Sequence, residues 1–247
     1  MCNSNLLYHA SVPLNADGSF KHVRIGQKEY WGRKLLKKTD QLIRTAYFDE
    51  DGSDEKQFAL DYVWYMWCGP DAPSFDKDKM ATFERYFLAE KETHQEKKNP
   101  YYHFLEDEKV VNRILEEFGL SPETGHIING HVPVKSKNGE NPVKCGGKVL
   151  VIDGGFSRAY QKETGIAGYT LIYNSYGLNL TAHEPFTSKA DAVARETDIV
   201  SNRVAVSYMS RRQLVGDTDT GHALKERIQE LIQLLDAYRT GIIKEKK

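Results

Sequence analysis

The amino-acid sequence predicts an α/β fold, because short apolar runs typical of strands alternate with segments of helical apolar spacing. Residues 148–152 form a continuous apolar run, as in a strand buried on both faces. Residues 107–118 place their apolar side chains on one helical face, and Gly119 ends that segment. Residues 168–173 and 178–183 flank a polar turn and predict a β-hairpin. Strands and helices are therefore mixed along the chain.

Three helices are predicted in the first hundred residues. Residues 31–48 have the apolar spacing of a helix. Residues 58–67 are apolar on nearly every side, which predicts a helix that is buried all round and ends at Gly69-Pro70. Residues 79–98 are rich in charged side chains and predict one long helix. An acidic loop separates the first helix from the second.

The remaining elements are short strands and two C-terminal helices. One apolar strand begins at Leu6, close to the first residue, and another begins at Ile127 and breaks at Gly130. The last quarter of the chain adds a helix over 188–195, a strand over 203–208 and a helix with one apolar stripe over 224–238. Ser188 is the predicted N-cap of the first of these helices.

Charge and composition exclude several classes of function. Lys and Arg number 34 and Asp and Glu number 35, so a net charge of −1 gives the chain no overall attraction for nucleic acid or anionic membrane. No apolar run approaches the ~20 residues of a membrane span. Cys2, Cys68 and Cys145 lack CxxC spacing, which disfavours a disulfide framework or a zinc ribbon. We therefore expect a cytoplasmic protein without nucleic-acid or membrane partners.

Two histidines follow apolar strands and are candidate metal ligands. His131 comes directly after Gly130, whose conformational freedom is expected to let the backbone turn sharply there. His9 follows the strand that begins at Leu6. Imidazole is the commonest metal-binding side chain, and two histidines at strand ends can share one ion. A loop histidine without a ligand role stays open for each, because a catalytic metal site needs at least one further protein ligand.

The Gly-rich segment 146–168 does not match a nucleotide-binding loop. It contains no G-x-x-x-x-G-K-[ST] motif, and no G-x-G-x-x-G opens a helix. Its glycines predict either tight turns between strands or backbone that passes close to a metal or a phosphate. The serine-hydrolase motif G-x-S-x-G is absent as well.

Several runs of the sequence resemble one known family. These runs are residues 67–70, 77–87, 129–135, 147–148, 151–157 and 164–175. They resemble the Firmicute-type (class III) fructose-1,6-bisphosphatases, and the similarity extends over nearly the whole chain. That family belongs to the calcineurin-like metallophosphoesterases. The resemblance therefore implies a sandwich of two packed mixed sheets flanked by helices.

The resemblance also implies a reaction and a metal centre. The reaction is hydrolysis of the 1-phosphate of fructose 1,6-bisphosphate, an activity of gluconeogenesis, at a centre of two divalent metals, expected to be Mn²⁺. Leu6-Leu7-Tyr8-His9 and Gly130-His131 are similar to the last two of the five superfamily motifs. By this resemblance, His9 and His131 bind the second metal.

Three superfamily motifs have no counterpart in the sequence. They are Asp-x-His, Gly-Asp-x-x-Asp-Arg-Gly and Gly-Asn-His-Glu, which would supply the other metal ligands and the catalytic acid. The chain thus resembles the C-terminal portion of such an enzyme with an incomplete N-terminal half, and we expect it to be inactive alone. We assign 1–185 to the metallophosphoesterase domain, with inserted helices at about 31–119, and 186–247 to a strand and a helix that pack on it.

Local charge suggests which side chains would contact the substrate. Arg85, Lys79 and Lys135 are candidates to neutralise the phosphate charge, and Arg85 can bind phosphate oxygens bidentately. The alternative for each is an ordinary solvated cation. Asp153 is a candidate to orient a ligand histidine from behind, or else it caps a buried turn.

The implied partners are fructose 1,6-bisphosphate and either a complementary N-terminal chain or a second copy of this chain. Three alternative functions stay open on the sequence. One is another calcineurin-like phosphoesterase, which substrate assays would separate. The others are a non-catalytic interaction or regulatory fragment, which predicts no metal dependence, and a stand-alone structural domain.

Overall fold

The computed structural model describes residues 1–50, 52–153, 157–186, 188–196 and 201–244. The strands are β1 (Asn5–Leu7), β2 (Val23–Ile25), β3 (Lys28–Tyr30), β4 (His126–Asn129), β5 (Val143–Lys144), β6 (Val149–Val151), β7 (Gly168–Asn174), β8 (Gly177–His183) and β9 (Ser201–Tyr208). The α-helices are α1 (Gly32–Phe48), α2 (Asp54–Cys68), α3 (Thr82–Phe87), α4 (Glu108–Glu117), α5 (Arg158–Thr164), α6 (Lys189–Arg195) and α7 (Asp219–Arg239). The predicted α/β class is confirmed.

A four-stranded mixed sheet forms the centre of the molecule, in the order β1-β4-β6-β5. The strands β1, β4 and β6 run parallel, and β5 pairs antiparallel with β6 at one edge. The register places Leu7 beside Ile128, and Ile128 beside Leu150. Because β1 and β4 are parallel neighbours, their carboxyl ends meet at the same edge of the sheet.

A second sheet packs against one face of the first. It is antiparallel, in the order β7-β8-β9, and its first two strands are the predicted hairpin. Ile128, Leu150 and Leu178 form a buried cluster between the two sheets. Side chains alternate along a strand, so the neighbouring residues Ile127 and Val149 point to the opposite face.

The amphipathic helix α4 supplies the main core. Its buried residues are Val110, Val111, Ile114 and Leu115. They belong to one buried cluster with Leu6 of β1 and Ile127 of β4. Asp107 caps the helix by accepting hydrogen bonds from the backbone N–H groups of Lys109 and Val110. The helix begins and ends within one residue of its predicted bounds.

The predicted burial of the helix around 58–67 is wrong, although the helix itself forms. In α2 the buried residues are Ala59 and Tyr62, which pack with Leu35 and Leu42 of α1. The side chain of Trp64 remains 70% exposed. A helix that packs along one stripe buries only that stripe, so an all-round apolar composition does not by itself specify burial.

The predicted long helix over 79–98 is also wrong. The segment contains only the six-residue α3 and a 3₁₀ turn at Lys91–His94. Its charges pair over long separations, since Glu96 forms ion pairs with Lys77 at 2.8 Å and with Arg85 at 3.3 Å. These pairs join residues 11 and 19 positions apart and so close a loop. Ion pairs that stabilise a helix join residues three or four positions apart.

The C-terminal elements follow the prediction more closely. Ser188 caps α6 by accepting a hydrogen bond from the N–H of Asp191. The predicted strand at 203–208 lies within β9, and α7 extends the predicted helix at both ends. Gly154 and Gly155 of the Gly-rich segment lie outside the described residues. Among the described residues, no helix has the length and apolar content needed to span a membrane.

Truncating the core at α4 tests this packing. Leu115 is fully buried in the main cluster, so Leu115→Ala is expected to lower the free energy of unfolding by about 3 kcal/mol through lost burial and a residual cavity. The exposed Glu116 on the same helix provides the control, because Glu116→Ala is expected to change it by less than about 0.5 kcal/mol. Urea unfolding measures both. Equal effects of the two substitutions would contradict the packing described.

Candidate metal and phosphate site

The parallel pairing of β1 and β4 brings His9 and His131 together. Each histidine lies two residues beyond its strand, at the same edge of the sheet. The backbone N–H of Gly130 donates to the carbonyl oxygen of His9 at 2.8 Å, which ties the two chain segments together. The sharp turn lies at His131, with φ of +68°, and not at Gly130. A non-glycine residue in this left-handed conformation is sparsely populated and often marks a functional site.

The two imidazoles are in direct contact. His9 Nε2 lies 3.1 Å from His131 Nδ1, and the ring planes are inclined by 73°. His131 Nε2 lies 3.2 Å from the carbonyl oxygen of Phe75. A carbonyl only accepts, so we assign the proton of neutral His131 to Nε2. The unprotonated Nδ1 then faces His9.

Electrostatics keep His131 in the form that a metal requires. Burial lowers the pKa of His131, and the positive charges of a protonated His9 and of Lys77 lower it further. The neutral imidazole is thus favoured at neutral pH. Metal ions bind the neutral ring, and a histidine ligand usually donates its other N–H to a carbonyl or carboxylate, as His131 does to Phe75.

The geometry of the pair is compatible with one shared ion. Two nitrogens that each bind an ion at ~2.1 Å, in tetrahedral or octahedral arrangement, lie roughly 3.0–3.4 Å apart. The observed separation is 3.1 Å. Within the described residues, no set of three or more His, Cys, Asp or Glu side chains is placed to hold a metal. The residues present therefore fit two ligand positions of a metal centre.

A polar cavity of about 390 Å³ opens beside His131. Its wall is formed by Asp76, Lys77, Lys98, Tyr102, His131, Val132, Pro133, Asp153 and Tyr160. The loop 71–102 contributes four of these residues. The cavity thus places His131 on the same wall as two lysines and two carboxyl groups, while His9 contacts His131 from outside this lining.

The two lysines of the cavity have different surroundings. Lys77 pairs with Glu96 at 2.8 Å while facing the cavity. Lys98 lies over the ring of Tyr102, and burial together with the nearby charge of Lys135 lowers the pKa of Lys98. An anion in the cavity would relieve this repulsion between Lys98 and Lys135. The cavity wall therefore carries two positive side chains together with the carboxyl groups of Asp76 and Asp153.

The residues predicted to contact the substrate differ in their position relative to the cavity. Lys79 donates to the carbonyl oxygen of Thr93 at 2.9 Å, and Arg85 pairs with Glu96 at 3.3 Å; neither lines the cavity. Lys135 lies close enough to Lys98 to affect its pKa. Asp153 does line the cavity, and its carbonyl oxygen accepts from the N–H of Val134. The structure therefore brings together His9, His131 and Asp153, while Lys135 does not line the cavity and only its charge acts on Lys98.

Asp76 and Lys98 are cavity residues that sequence reasoning missed, and Asp76 is the more deeply buried of the two. Its residue surface is 1% exposed, and its φ of +62° lies in the left-handed region. Ser11 Oγ donates to Asp76 Oδ1 at 2.5 Å, and the hydroxyl of Tyr102 interacts with the same carboxyl group. Burial raises the pKa of Asp76 to about 6. The residues around Asp76 form a loop, so no apolar periodicity indicates its burial. The one local feature is that two charged residues, Asp76 and Lys77, directly follow the apolar Phe75.

Replacing Asp76 tests its burial through the pH dependence of stability. The pKa rises from 3.8 to about 6, so the folded state binds the proton more tightly and wild-type stability falls as the pH rises from about 4 to about 6. Each pKa unit corresponds to about 1.4 kcal/mol, so the loss is up to about 3 kcal/mol. Asp76→Asn is expected to remove this loss in urea unfolding at pH 4 and pH 7. The exposed Asp54→Asn is the control, and a pH profile unchanged by Asp76→Asn would contradict the assignment.

Comparisons with known proteins identify the family of this chain. The profile of the family described as "Firmicute fructose-1,6-bisphosphatase" matches residues 1–240. Class 3 fructose-1,6-bisphosphatase of Bacteroides fragilis is 63% identical over 246 residues, which cover 100% of this chain and 37% of that protein. The protein of the same name from Bacteroides thetaiotaomicron is 63% identical, with 99% and 37% covered. That of Clostridium novyi is 58% identical, with 98% and 36% covered.

The matches cover nearly all of this chain but only part of each relative. The chain spans little more than a third of the length of these curated relatives, and it corresponds to their C-terminal part. No solved structure matches the chain. A family profile that covers residues 1–240 of 247 nevertheless leaves little of the chain outside the match. The chain therefore belongs to the Firmicute fructose-1,6-bisphosphatase family.

Proposed function

We propose that this chain forms part of the active site of a fructose-1,6-bisphosphatase that hydrolyses the 1-phosphate ester. The observation that carries the proposal is the convergence of His9 and His131, 3.1 Å apart, beside a cavity with two lysines. The names of the relatives specify the substrate. Metal-assisted hydrolysis of a phosphate monoester needs metal ligands and positive charge beside the phosphate, and the histidine pair and the adjoining cavity supply both.

We propose that His9 and His131 are ligands of a divalent metal, expected to be Mn²⁺. When bound, paired divalent ions supply a hydroxide nucleophile at neutral pH and neutralise charge on the phosphoryl group. The carbonyl oxygen of Phe75 orients the ring of His131 and holds its proton on Nε2. Asp153 lies on the cavity wall next to His131 and contributes negative charge that raises the basicity of this ligand.

We place the phosphate contacts on Lys77, Lys98 and Lys135. Lys77 and Lys98 line the cavity, and Lys135 adds its charge nearby. Lys79 and Arg85 have a backbone oxygen and a carboxylate as partners, which supports a structural role for their cationic groups. The negative charge of a bound phosphate would then offset the repulsion between the positive charges of Lys98 and Lys135.

The architecture supports a calcineurin-like sandwich. In that fold two mixed sheets pack face to face with helices outside. Here the cluster of Ile128, Leu150 and Leu178 joins two sheets, of which the first is mixed and the second is antiparallel, in contrast to the predicted pair of mixed sheets. The helix α4 covers the outer face of the first sheet. We retain 1–185 as the part that carries the site and 186–247 as the strand and helix that follow.

Metal binding by the chain tests the histidine assignment. We expect the wild-type chain to bind Mn²⁺ weakly, because two imidazoles supply fewer than the three protein ligands usual for a catalytic metal. His9→Ala and His131→Ala are each expected to lower the affinity at least about tenfold. Titration followed by electron paramagnetic resonance measures free Mn²⁺. The exposed His103→Ala is the control, and acidic pH should weaken binding because protons compete with the metal for histidine nitrogen. Equal Mn²⁺ affinity in His131→Ala and wild type would remove His131 from the site.

Enzyme assays test the function. We expect no hydrolysis of fructose 1,6-bisphosphate by the chain alone, and Mn²⁺-dependent phosphate release once it is joined to the part of the Bacteroides fragilis relative that it does not match. In that joined protein, Lys77→Ala should raise KM at least about tenfold through loss of a charge-assisted contact. Lys79→Ala is the matched control and should change KM by less than about twofold. Preference for protein phosphopeptides or dinucleoside polyphosphates would favour another phosphoesterase, and absence of activity in the joined protein would favour a non-catalytic role.

A further inference from the structure

The helix α7 is anchored at its first turn. The N–H of Asn3 donates to Asp219 Oδ2 at 2.7 Å, and the N–H of Asp219 donates to Asn3 Oδ1 at 2.9 Å. Gly221 is buried against the turn at 215–217, where an added Cβ would lie 1.9 Å from the carbonyl oxygen of Val215. Beyond this turn the helix residues are exposed, apart from the half-buried Ala237. About five further turns of the helix therefore project from the fold.

The projecting part of α7 has an apolar side that the described chain does not cover. The large apolar residues on this side are Leu224, Ile228, Leu231, Ile232, Leu234, Leu235 and Tyr238. Their exposed fractions lie between 43% and 54%. An isolated helix of this length is marginal in water, and an apolar stripe normally packs against another element. This stripe therefore requires a partner surface.

The spacing of the stripe is that of a coiled-coil seam. Leu224, Ile228, Leu231, Leu235 and Tyr238 follow one another at intervals of four, three, four and three residues. In heptad notation, Leu224, Leu231 and Tyr238 occupy d positions, while Ile228 and Leu235 occupy a positions. Leu224 and Leu231 at d with Ile228 at a is the combination that favours a two-stranded parallel coiled coil, while Leu235 fills the second a position.

We propose that α7 pairs in parallel with α7 of a second copy of this chain. The flanking e and g positions support this partner and this orientation. In a parallel pair, Arg227 at g faces Ile232 at e of the second copy, and Leu234 faces Arg239 in the same way. The methylene groups of each arginine then cover an apolar side chain, while the guanidinium stays in water.

An antiparallel pair of the same helices is disfavoured. In that orientation e positions face each other, which places Lys225 against Arg239 of the second copy. Like charges in such positions destabilise the pairing. The parallel arrangement avoids this repulsion. It also leaves the acidic Glu226 and Glu230 on the outer side of the pair.

The apolar surface is large enough for a stable dimer. Seven side chains that each expose about half of their area amount to roughly 700 Å² per helix, so a pair would cover about 1,400 Å², within the roughly 1,200–2,000 Å² of stable interfaces. None of the residues that line the cavity near His131 belongs to α7, so the pairing is independent of the proposed function. Its failure would leave the metal and phosphate assignments untouched.

Sedimentation velocity of the full 247-residue chain at micromolar concentrations tests the pairing. The wild-type chain is expected to sediment as a dimer. The double variant Ile228→Glu/Leu235→Glu places charges at both a positions and should be monomeric. Gln229→Glu/Gln233→Glu adds the same two charges on the outer side and should stay dimeric. A monomeric wild type, or a dimer that both double variants leave intact, would overturn the proposal. Far-UV circular dichroism confirms that each variant is folded.

Cross-linking tests the orientation. In a chain with Cys2, Cys68 and Cys145 replaced by serine, Leu224→Cys places two thiols opposite each other only in a parallel pair, so an intermolecular disulfide should form on mild oxidation. Glu226→Cys, on the outer side, is the control and should not cross-link efficiently. Dimers in which Leu224→Cys fails to cross-link would overturn the parallel arrangement.

Discussion

The parallel pairing of β1 with β4 is the interaction on which the site depends. The two strands are more than a hundred residues apart in the chain, and their register places Leu7 beside Ile128. The pairing continues beyond the strands, because the N–H of Tyr8 donates to Ile128 and that of Gly130 donates to His9. Both chain segments therefore leave the sheet at the same edge, and the two imidazoles meet there. A shift of this register by one residue would move each side chain to the opposite face.

The loop 71–102 supplies the groups that surround the histidine pair. Its backbone supplies the carbonyl of Phe75, which selects the tautomer of His131, and its side chains supply a buried carboxyl and two lysines of the cavity. The loop is held closed by Glu96, which bridges Lys77 and Arg85, and by backbone pairing between Lys77 and Lys98. The rigid sheet positions the histidines, and the loop arranges charge around them. At pH values above the raised pKa, Asp76 is a buried carboxylate, which lowers the stability of the fold. Strongly shifted pKa values of this kind cluster at functional sites.

Two helices show how apolar patterns and burial can separate. The helix α2 buries one stripe against α1 and leaves large aromatic side chains in solvent, and α7 projects with an uncovered heptad stripe. In both cases the pattern specifies the helix, because apolar spacing reflects which side chains share a face. What covers that face depends on elements elsewhere in the chain or on another chain. Exposed apolar surface of this extent marks interaction surfaces in proteins.

The sequence by itself determined the local elements and the histidine pair. Strands β4 and β6, the hairpin of β7 and β8, the helix α4 and the positions of His9 and His131 all follow from apolar periodicity or from family motifs within a few residues. Only the tertiary structure decided the contacts of Asp76, Lys77 and Lys98, and it replaced a predicted long helix with a closed loop. The physical reason is that ion pairs such as Lys77 with Glu96, and hydrogen bonds such as Ser11 with Asp76, join residues far apart in the chain. Local periodicity contains no information about such pairs, since they form only when the sheet has set the distances between the segments.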